Sequence, residues 1–447
     1  MLVAILVSMV AFLDSSVVNL ALPATERDLG GGMCLQQWVV DGYLLALAAT
    51  ILPGGAISDR FGRVQVMRFG LVAFGIGSAL AAAALSPTML IAARMTQGLG
   101  AAFLVPGSLA LINSTFDASR RSAAVGCWTA WTGTAFALGP LLGGVAVDLL
   151  GWRWIYVLSA VPMVVGFTLT YWLPSLPRIA RPGHLDVAGA ALSASGLAAT
   201  VYALIEAGRH GWHPPLVASL LGGVAALTAF AAWQRRAAHP LLPLALFANR
   251  DFLAANLTTA FVYAALTMGS LAISLYTQEV AHYCATVAGL ATLPTPLMSF
   301  LFARRVGNLA ARIGARRFLI AGPLLAGLGL LLIRPAAHGF HIVTHLLPGT
   351  LVVAIGLVLT STPLATLNLS SVDPASSGIA AAVQNAVGRT SALTSVACVG
   401  LIAAGALTEA SFTRLLRDAA ALFFVAATLA AVLTARAAAP SRATPAR

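Results

Sequence analysis

A single carboxylate interrupts an apolar run near the beginning of the chain. In the stretch AFLDSSVVNLALP, residues 11–23, Asp14 has no charged neighbour before Glu26. If this run crosses a membrane, a charged and unpaired carboxylate there is costly, so such residues usually face water or a partner and mark proton pathways. Burial disfavours the charged form, which favours uptake of a proton from one side and its release on the other. The alternative is a structural aspartate that bonds a neighbouring helix.

Arg94 and Asp41 also carry charge within apolar stretches. A buried guanidinium needs an acceptor or water, and Asp41 is the nearest plausible partner of Arg94 besides Asp14. The sequence therefore predicts a proton-coupling group of Asp14, Arg94 and Asp41, with a plain structural ion pair as the alternative. Polar residues predicted to line a cavity, or in the later helix to bond between helices, are Asn19, Gln97, Gln384, Asn385 and Arg389.

Apolar segments must position these residues. The chain has 447 residues, of which 59% are hydrophobic and only 9% charged, a composition that excludes a water-soluble protein. Runs of about 20 apolar residues, enough to cross a bilayer as helices, recur from end to end. The first run has no basic segment before it and no small-residue cleavage site after it, so it is predicted to be a helix and not a signal peptide. The fourteen predicted spans are 2–22, 37–57, 69–86, 89–113, 122–147, 154–173, 187–207, 214–233, 251–277, 285–303, 318–334, 343–366, 378–405 and 415–435.

The basic residues set the predicted orientation. All 26 are arginine: eighteen fall in the loops and tail of one side, six on the other side, and two, Arg94 and Arg389, inside spans. Since basic residues concentrate in cytoplasmic loops, both termini are predicted to face the cytoplasm. This bias explains the net charge of +12 without a nucleic-acid partner. The absence of lysine indicates a GC-rich genome and favours an actinobacterium.

Signals of enzymatic or cofactor chemistry are missing from the sequence. No phosphate-binding glycine loop with a lysine and no nucleophile motif occurs. The four cysteines lack the spacing of metal ligands, so we expect no metal, no redox chemistry and no cofactor. Cys34 and Cys284 both fall near outer loops, where a disulfide is an open but disfavoured alternative.

An internal echo indicates two related halves. The stretch GAISDRFGR at 55–63 matches GNLAARIGA at 307–315 at a constant offset of 252, and both follow an even-numbered span. Chance similarity of two basic loops is the alternative. A duplication at this offset predicts two six-helix bundles with an inserted pair of helices between them. The predicted domains are a first bundle at 1–173, linkers and inserted helices at 174–250 (helices at about 187–207 and 214–233), a second bundle at 251–435, and a cytoplasmic tail at 436–447.

Five motifs together resemble the fourteen-span drug/proton antiporters of the major facilitator superfamily. They are LDSSVVNLALP (13–23), QWVVDGYLLALA (37–48), GAISDRFGRV (55–64), LIAARMTQGLGAA (90–102) and AFALGPLLGG (135–144). The resemblance covers nearly the whole chain, with Val64 and Ala135 as departures from the usual motif residues. It implies the major-facilitator fold, proton handling by Arg94, and export, since the last motif is typical of antiporters.

Two of these motifs have physical roles of their own. The loop motif offers a carboxylate and guanidinium groups at a helix end, suited to a gating latch, or simply to setting topology. In the fifth span, two glycines four residues apart allow close helix packing and a proline favours a kink, which indicates a hinge or seal, or plain packing. The gating-loop residues are Gly55, Asp59, Arg60, Gly62 and Arg63, and the antiporter-motif residues are Gly139, Pro140, Gly143 and Gly144.

The predicted function is that of a proton-coupled antiporter that exports small, largely apolar drugs, antibiotics or secondary metabolites from a bacterium. It would be a monomer in the cell membrane, driven by the proton gradient, with the substrate, protons and membrane lipids as its partners. A proton-coupled importer or lipid translocator of the same fold is the main alternative, since a fold does not fix function. A receptor or scaffold would have no use for Asp14.

Overall fold

The computed structural model describes residues 1–173, 186–336, 339–373 and 376–434, and within these ranges all regular structure is helical. This confirms the predicted all-α fold. The predicted tail at 436–447 lies outside the described residues, as does the linker at 174–186 except for Asp186. The α-helices are α1 Leu2–Leu29, α2 Gly32–Phe61, α3 Arg63–Ala82, α4 Pro87–Thr115, α5 Ala118–Leu150, α6 Trp154–Leu158, α7 Ala160–Leu169, α8 Val187–His210, α9 Pro214–Gln234, α10 Arg250–Leu275, α11 Ala285–Thr292, α12 Pro294–Ile313, α13 Ala315–Leu332, α14 Leu347–Ser370, α15 Ser377–Ala403 and α16 Glu409–Leu433.

Thirteen helical segments of the described chain are long and apolar enough to cross a membrane. Each coincides with one of the predicted spans. The remaining prediction, 89–113, coincides with α4, a helix of 29 residues. Several helices extend beyond the predicted limits, because hydropathy marks the lipid-embedded part of a helix and not its end.

Two predicted spans are interrupted helices. The span at 154–173 consists of α6, α7 and a short 3₁₀ turn, with a break at Ser159. The span at 285–303 consists of α11 and α12, and the break lies at Leu293 before Pro294. Proline at the first position of α12 is compatible with a new helix start but not with continuation of α11, since it lacks the donor for the preceding turn.

The repeated loop has the same backbone conformation in both copies. Gly62 lies between α2 and α3 with φ 99° and ψ 130°, and Gly314 lies between α12 and α13 with φ 93° and ψ 135°. Only glycine adopts such positive φ values without strain. The offset of 252 found in the sequence thus relates two equivalent helix junctions.

The two halves meet along two seams. In the first seam, α5 of the first half packs against α11 of the second; in the second seam, α2 packs against α15. The inserted helix α8 contacts both α2 and α15, whereas α9 packs chiefly on α8. One end of the inserted helix pair, α8 and α9, is assigned to the cytoplasmic side. At this end Asp186 caps α8 and accepts hydrogen bonds from Trp233 and Gln234.

Candidate functional site

A buried ion pair lies inside the first half. Arg94 Nη1 donates to Asp14 Oδ1 at 3.0 Å and to Asp14 Oδ2 at 2.8 Å, and neither side chain exposes more than 2% of its surface. The same nitrogen donates to Gln97 Oε1 at 2.8 Å. Gln97 Nε2 lies 3.4 Å from Asp14 Oδ1 and 2.8 Å from Ser78 Oγ. The carboxylate therefore has a fixed cation and a neutral donor in a site closed to water.

Three further helices contact Arg94 directly, and a fourth contacts its partner Gln97. Arg94 Nε donates to the carbonyl oxygen of Val39 on α2 at 2.9 Å. Its guanidinium lies over the Tyr43 ring, 4.5 Å from the centroid, and 5.9 Å from that of Tyr156 on α6. A planar guanidinium satisfies a carboxylate, an amide and a carbonyl at once, which a point charge cannot do. With Asp14 on α1 and Ser78 on α3, most of the first half converges on this group.

Asp41 does not belong to this cluster: of the two partners that the sequence offered for Arg94, the structure pairs Asp14 and not Asp41. Asp41 is fully buried, yet neither carboxylate oxygen has a hydrogen-bond partner among the described residues. The reason is helical geometry: Val39 and Tyr43, which contact Arg94, lie on the opposite face of α2 from Asp41 at 100° per residue. The partner of Arg94 is Asp14.

The predicted cavity residues have different environments. Gln97 belongs to the ion-pair cluster. Gln384 Nε2 donates to Thr259 Oγ1 on α10 at 3.1 Å, a bond between helices of the second half. Asn385, Arg389 and Asn19 are half-buried. Arg389 lies within electrostatic range of the Tyr43 hydroxyl, across the second seam from the cluster.

The loop motif lies at the junction of α2 and α3. The side chain of Asp59 is outside the described part of the chain, Arg60 is exposed, and its guanidinium lies 5.7 Å from the centroid of the Phe61 ring. Gly62 has the positive φ described above, and Arg63 begins α3. A side chain at Gly55 would meet nothing within 4 Å. Of the loop-motif residues, the structure explains Gly62, because its positive φ is a backbone conformation that favours glycine.

The antiporter motif on α5 has two faces with different contacts. A Cβ at Gly139 would overlap Ser16, and one at Gly143 would overlap Val17, both on α1 of the same half. Gly144 faces the other half instead: a Cβ there would lie 2.6 Å from the carbonyl oxygen of Ala285. The glycine pair therefore packs within the first half, and not at the seam.

Pro140 and Gly144 form the first seam together with α11. The carbonyl of Pro140 touches Gly289, which has no room for a Cβ. One turn beyond Gly144, Asp148 Oδ1 accepts from the backbone nitrogen of Ala285 at 3.0 Å, and Oδ2 from that of Thr286 at 2.8 Å. An α5 carboxylate thus caps a helix of the opposite half.

The hydrogen bonds described between the halves all lie towards the side assigned as outer. Besides Asp148, Gln36 on α2 bonds to Glu279 beyond the end of α10. Gln37 Nε2 donates to the carbonyl oxygens of Val396 and Ala397 on α15 at 2.7 and 3.0 Å. Ser274 Oγ donates to the Asn19 carbonyl oxygen at 3.0 Å. The structure is closed on its outer side.

Several of these residues were not singled out by the sequence. Ser78, Tyr43, Gln36, Gln37 and Asp148 all take part in the cluster or the seams. Each is a polar residue within or at the end of an apolar span, the same signal that identified Asp14. Ser78, Tyr43, Gln36 and Gln37 resemble ordinary helix-packing residues, and Asp148 lies just beyond the predicted span 122–147, where a charged residue is unremarkable.

Sequence comparison identifies relatives along most of the chain. The family model of the Major Facilitator Superfamily matches residues 4–396. The chain is 36% identical over 409 residues to a puromycin resistance protein of Streptomyces alboniger, covering 88% of this chain and 79% of that protein. It is 34% identical to the multidrug resistance protein Stp of Mycobacterium tuberculosis, over 85% of this chain and 71% of Stp. A probable actinorhodin transporter of Streptomyces coelicolor is 32% identical, over 88% of this chain and 70% of that protein.

Solved structures share the fold at much lower identity. A POT-family peptide transporter in an auto-inhibited form superposes with a TM-score of 0.71 at 20% identity, covering 100% of this chain and 98% of the other. The xylose transporter XylE from E. coli superposes with a TM-score of 0.66 at 15% identity, with the same coverage.

Proposed function

The chain belongs to the major facilitator superfamily and is a multi-pass membrane protein, and on this premise we propose that it is a proton-coupled antiporter that exports small, largely apolar compounds. Antibiotics, other drugs and secondary metabolites are the substrate class, since the relatives described above are resistance and transport proteins. The protein works as a monomer in the bacterial cell membrane, in an actinobacterium. It needs no cofactor, because the proton gradient drives it.

The observation that carries the proposal is the buried Asp14–Arg94–Gln97 cluster. The Asp14 side chain accepts a hydrogen bond from the Arg94 guanidinium at 2.8 Å, and such a charge-assisted bond favours the deprotonated form of the acid. Protonation would remove half of this pair and leave Arg94 as a buried charge without its counter-ion, which is strongly unfavourable. A proton on Asp14 therefore changes which arrangement of the surrounding helices is stable, and this is what coupling requires.

The closed outer side fits the deprotonated state of Asp14. In an exporter, the proton enters from outside and leaves towards the cytoplasm before the next substrate binds from within. An outer side sealed by Asp148, Gln36 and Gln37, with Asp14 already deprotonated, corresponds to that stage of the cycle. Outward opening then has to separate α5 from α11 and α2 from α15.

Other motif residues have supporting roles in this proposal. Asp59, Arg60 and Arg63 form the cytoplasmic latch between states, Gly62 sets its backbone, and Gly55 leaves space beside it. Pro140 and Gly144 seal the outer side. The half-buried Arg389, with Asn385 and Asn19, faces the substrate path.

Everted membrane vesicles test direction and coupling together. With radiolabelled puromycin as the probe, an acid-inside gradient should drive uptake into vesicles containing this protein, and a protonophore should abolish it. Vesicles without the protein give the background. Uptake unaffected by the protonophore would contradict proton coupling, and gradient-driven loss of preloaded puromycin would favour the importer alternative.

A further inference from the structure

Asp41 carries a buried carboxyl group that takes no part in the ion-pair cluster. It is 0% exposed, and both of its oxygens lack a hydrogen-bond partner among the described residues. An ionised carboxylate in such a site would have lost its hydration without compensation, at a cost that the neutral acid does not incur. The closed outer side therefore favours the neutral, protonated form of Asp41.

Asp41 lies at the second seam, between α2 and α15. It lies on the face of α2 that carries Gln37 one turn away, and this face packs against α15 of the second half and against the inserted helix α8. Charged groups nearby are committed elsewhere, since Arg94 pairs with Asp14 on the opposite face of α2. On α15, the titratable and charged residues are Cys398, within electrostatic range of Asp41, and Arg389, which lies further inward. The outer end of α8 carries Glu206, Arg209 and His210. On α1 and α4 the charged residues are the paired Asp14 and Arg94.

A cavity of about 200 Å³ approaches Asp41 from the outer side. It lies between the beginning of α2 and the ends of α8 and α15, and its lining includes Gly31, Cys34, Gln37, Arg209 and Gly400. Cavities of this size and polarity hold several waters. Gln37 forms the floor, because its amide spans to the Val396 and Ala397 carbonyls and fills the space beside Gly400. Gln37 thus lines the cavity and lies one turn before Asp41 on the same face of α2.

We propose that Asp41 is a proton-binding site which exchanges with the outside through this cavity, with Gln37 as its plug, and that closure of the second seam requires its protonation. When α2 and α15 separate, Gln37 leaves its two carbonyl partners and Asp41 meets external water. The carboxyl then loses its proton at high external pH, and the seam cannot close again without burying a charge. Low external pH therefore favours the outer-closed state and high external pH favours the outer-open state.

This site differs in its role from Asp14. Its proton enters and leaves on the outer side, so it regulates the equilibrium between states and is not carried across the membrane. The inference relies on the proposed function only in that the outer ends must separate during the cycle. Flux through Asp14 variants tests coupling, whereas the conformational response described next tests Asp41, so the two can fail independently.

Distance measurements between spin labels on the two halves provide the test. The full-length protein in lipid nanodiscs carries labels through Leu85→Cys and Ala410→Cys, both at exposed outer positions, with its four native cysteines replaced by serine. In this background, the ratio of outer-open to outer-closed molecules should rise with pH, by at most about tenfold per pH unit for one linked proton. Asp41→Asn, which mimics the protonated acid, should keep the outer side closed and remove the response contributed by this site.

Two further variants complete the design. Asp28→Asn removes a carboxylate at the outer surface and should leave the pH response unchanged, as the matched control. Gln37→Ala opens the plug and hydrates Asp41 in the closed state, so the response should become shallower even if Asp41→Asn folds poorly. A pH response equal to that of the parent protein in both Asp41→Asn and Gln37→Ala would overturn the proposal.

Infrared difference spectra supply independent evidence on the proton itself. A shift from low to high pH should bleach the carbonyl band of a protonated carboxylic acid, and Asp41→Asn should remove that band while Asp14→Asn retains it. Retention of the full band in Asp41→Asn would also refute the assignment.

Discussion

Asp14 and Asp41 show how the surroundings of one residue type decide its chemistry. Asp14 has a guanidinium at 2.8 Å and the Gln97 amide beside it, so its charged form is held in place. Asp41 has neither, so its neutral form is favoured. Both are almost completely buried, and burial alone would not distinguish them. The difference lies in which face of the neighbouring helix Arg94 can reach.

The first prediction concerns Asp14. Asp14→Asn should abolish gradient-driven efflux while the protein still inserts into the membrane, because the amide keeps the shape and can still accept from Arg94. The variant should be less stable than the parent protein, since Arg94 loses its buried counter-ion. Asp14→Glu should retain partial activity, since a carboxyl remains but is displaced. Asp117→Asn, at an exposed position that makes no capping bond, is the control and should transport normally. Efflux should be measured in everted vesicles, and full transport by Asp14→Asn would exclude its coupling role.

At the scale of elements, one face of α5 packs within the first half and another face packs across the first seam. Gly139 and Gly143 contact α1, which stays in the same half throughout, whereas Gly144 and Pro140 contact α11 across the seam. Only the second contact has to break and re-form if the outer side opens. A single glycine-rich motif thus combines permanent packing with a separable interface.

Substitutions on the two faces should have different consequences. Gly143→Leu should lower insertion yield and transport together, because it overpacks α1 against α5. Gly144→Ala should lower transport at normal yield, since its Cβ meets backbone of α11 and destabilises the outer-closed state by about 1–3 kcal/mol. Gly133→Ala, where a Cβ meets nothing within 4 Å, is the control on the same helix. Yield by size-exclusion chromatography and efflux distinguish these outcomes; equal losses of yield for Gly143→Leu and Gly144→Ala would contradict this division.

The equivalent junctions after α2 and α12 permit a matched comparison. Gly62→Ala and Gly314→Ala should each lower stability by about 1–3 kcal/mol, because alanine is strained at these φ values. At Gly314 the strain is the only cost, since no atom lies within 4 Å of an added Cβ. Gly55→Ala, inside α2 with open space around it, should be neutral or slightly stabilising. Thermal unfolding in detergent measures all three. Unchanged melting temperatures for both junction variants would show that the strain is relieved by local rearrangement.

At the scale of the whole molecule, charge is distributed unequally between the halves. The buried acidic residues Asp14 and Asp41 lie in the first half, while α11 to α14 contain no acidic residue and α15 contributes Arg389. A buried cation needs a nearby anion. The second half therefore offers a neutral or positive wall to a bound substrate.

This asymmetry predicts the charge of the substrate. We expect neutral, zwitterionic or anionic compounds to be exported in preference to bisquaternary dyes, because either Arg94 or the proton neutralises Asp14 at each stage and α11 to α14 offer no carboxylate. Drug-susceptibility profiles in a pump-deficient host measure the preference, with the Asp14→Asn variant as the inactive control. Strong resistance to bisquaternary compounds without resistance to neutral antibiotics would refute it.

The sequence by itself determined the class of protein and the number of spans, and it singled out Asp14 as a charged residue within an apolar span. These features depend on local properties, because a bilayer requires a fixed length of apolar helix and makes any charge within it conspicuous. The offset of 252 between two loops likewise located the equivalent junctions Gly62 and Gly314 before any coordinates were known.

Only the tertiary structure decided which residues contact each other. The sequence left Arg94 between Asp14 and Asp41, and it left Gly139 and Gly143 between a hinge or seal and plain packing, whereas they pack against α1 within one half. The breaks at Ser159 and Leu293 were also missed. Hydropathy reports how deep a residue lies but not how its helix is rotated or which helix lies beside it, and a rotation of 100° per residue sends Val39 and Asp41 to opposite neighbours.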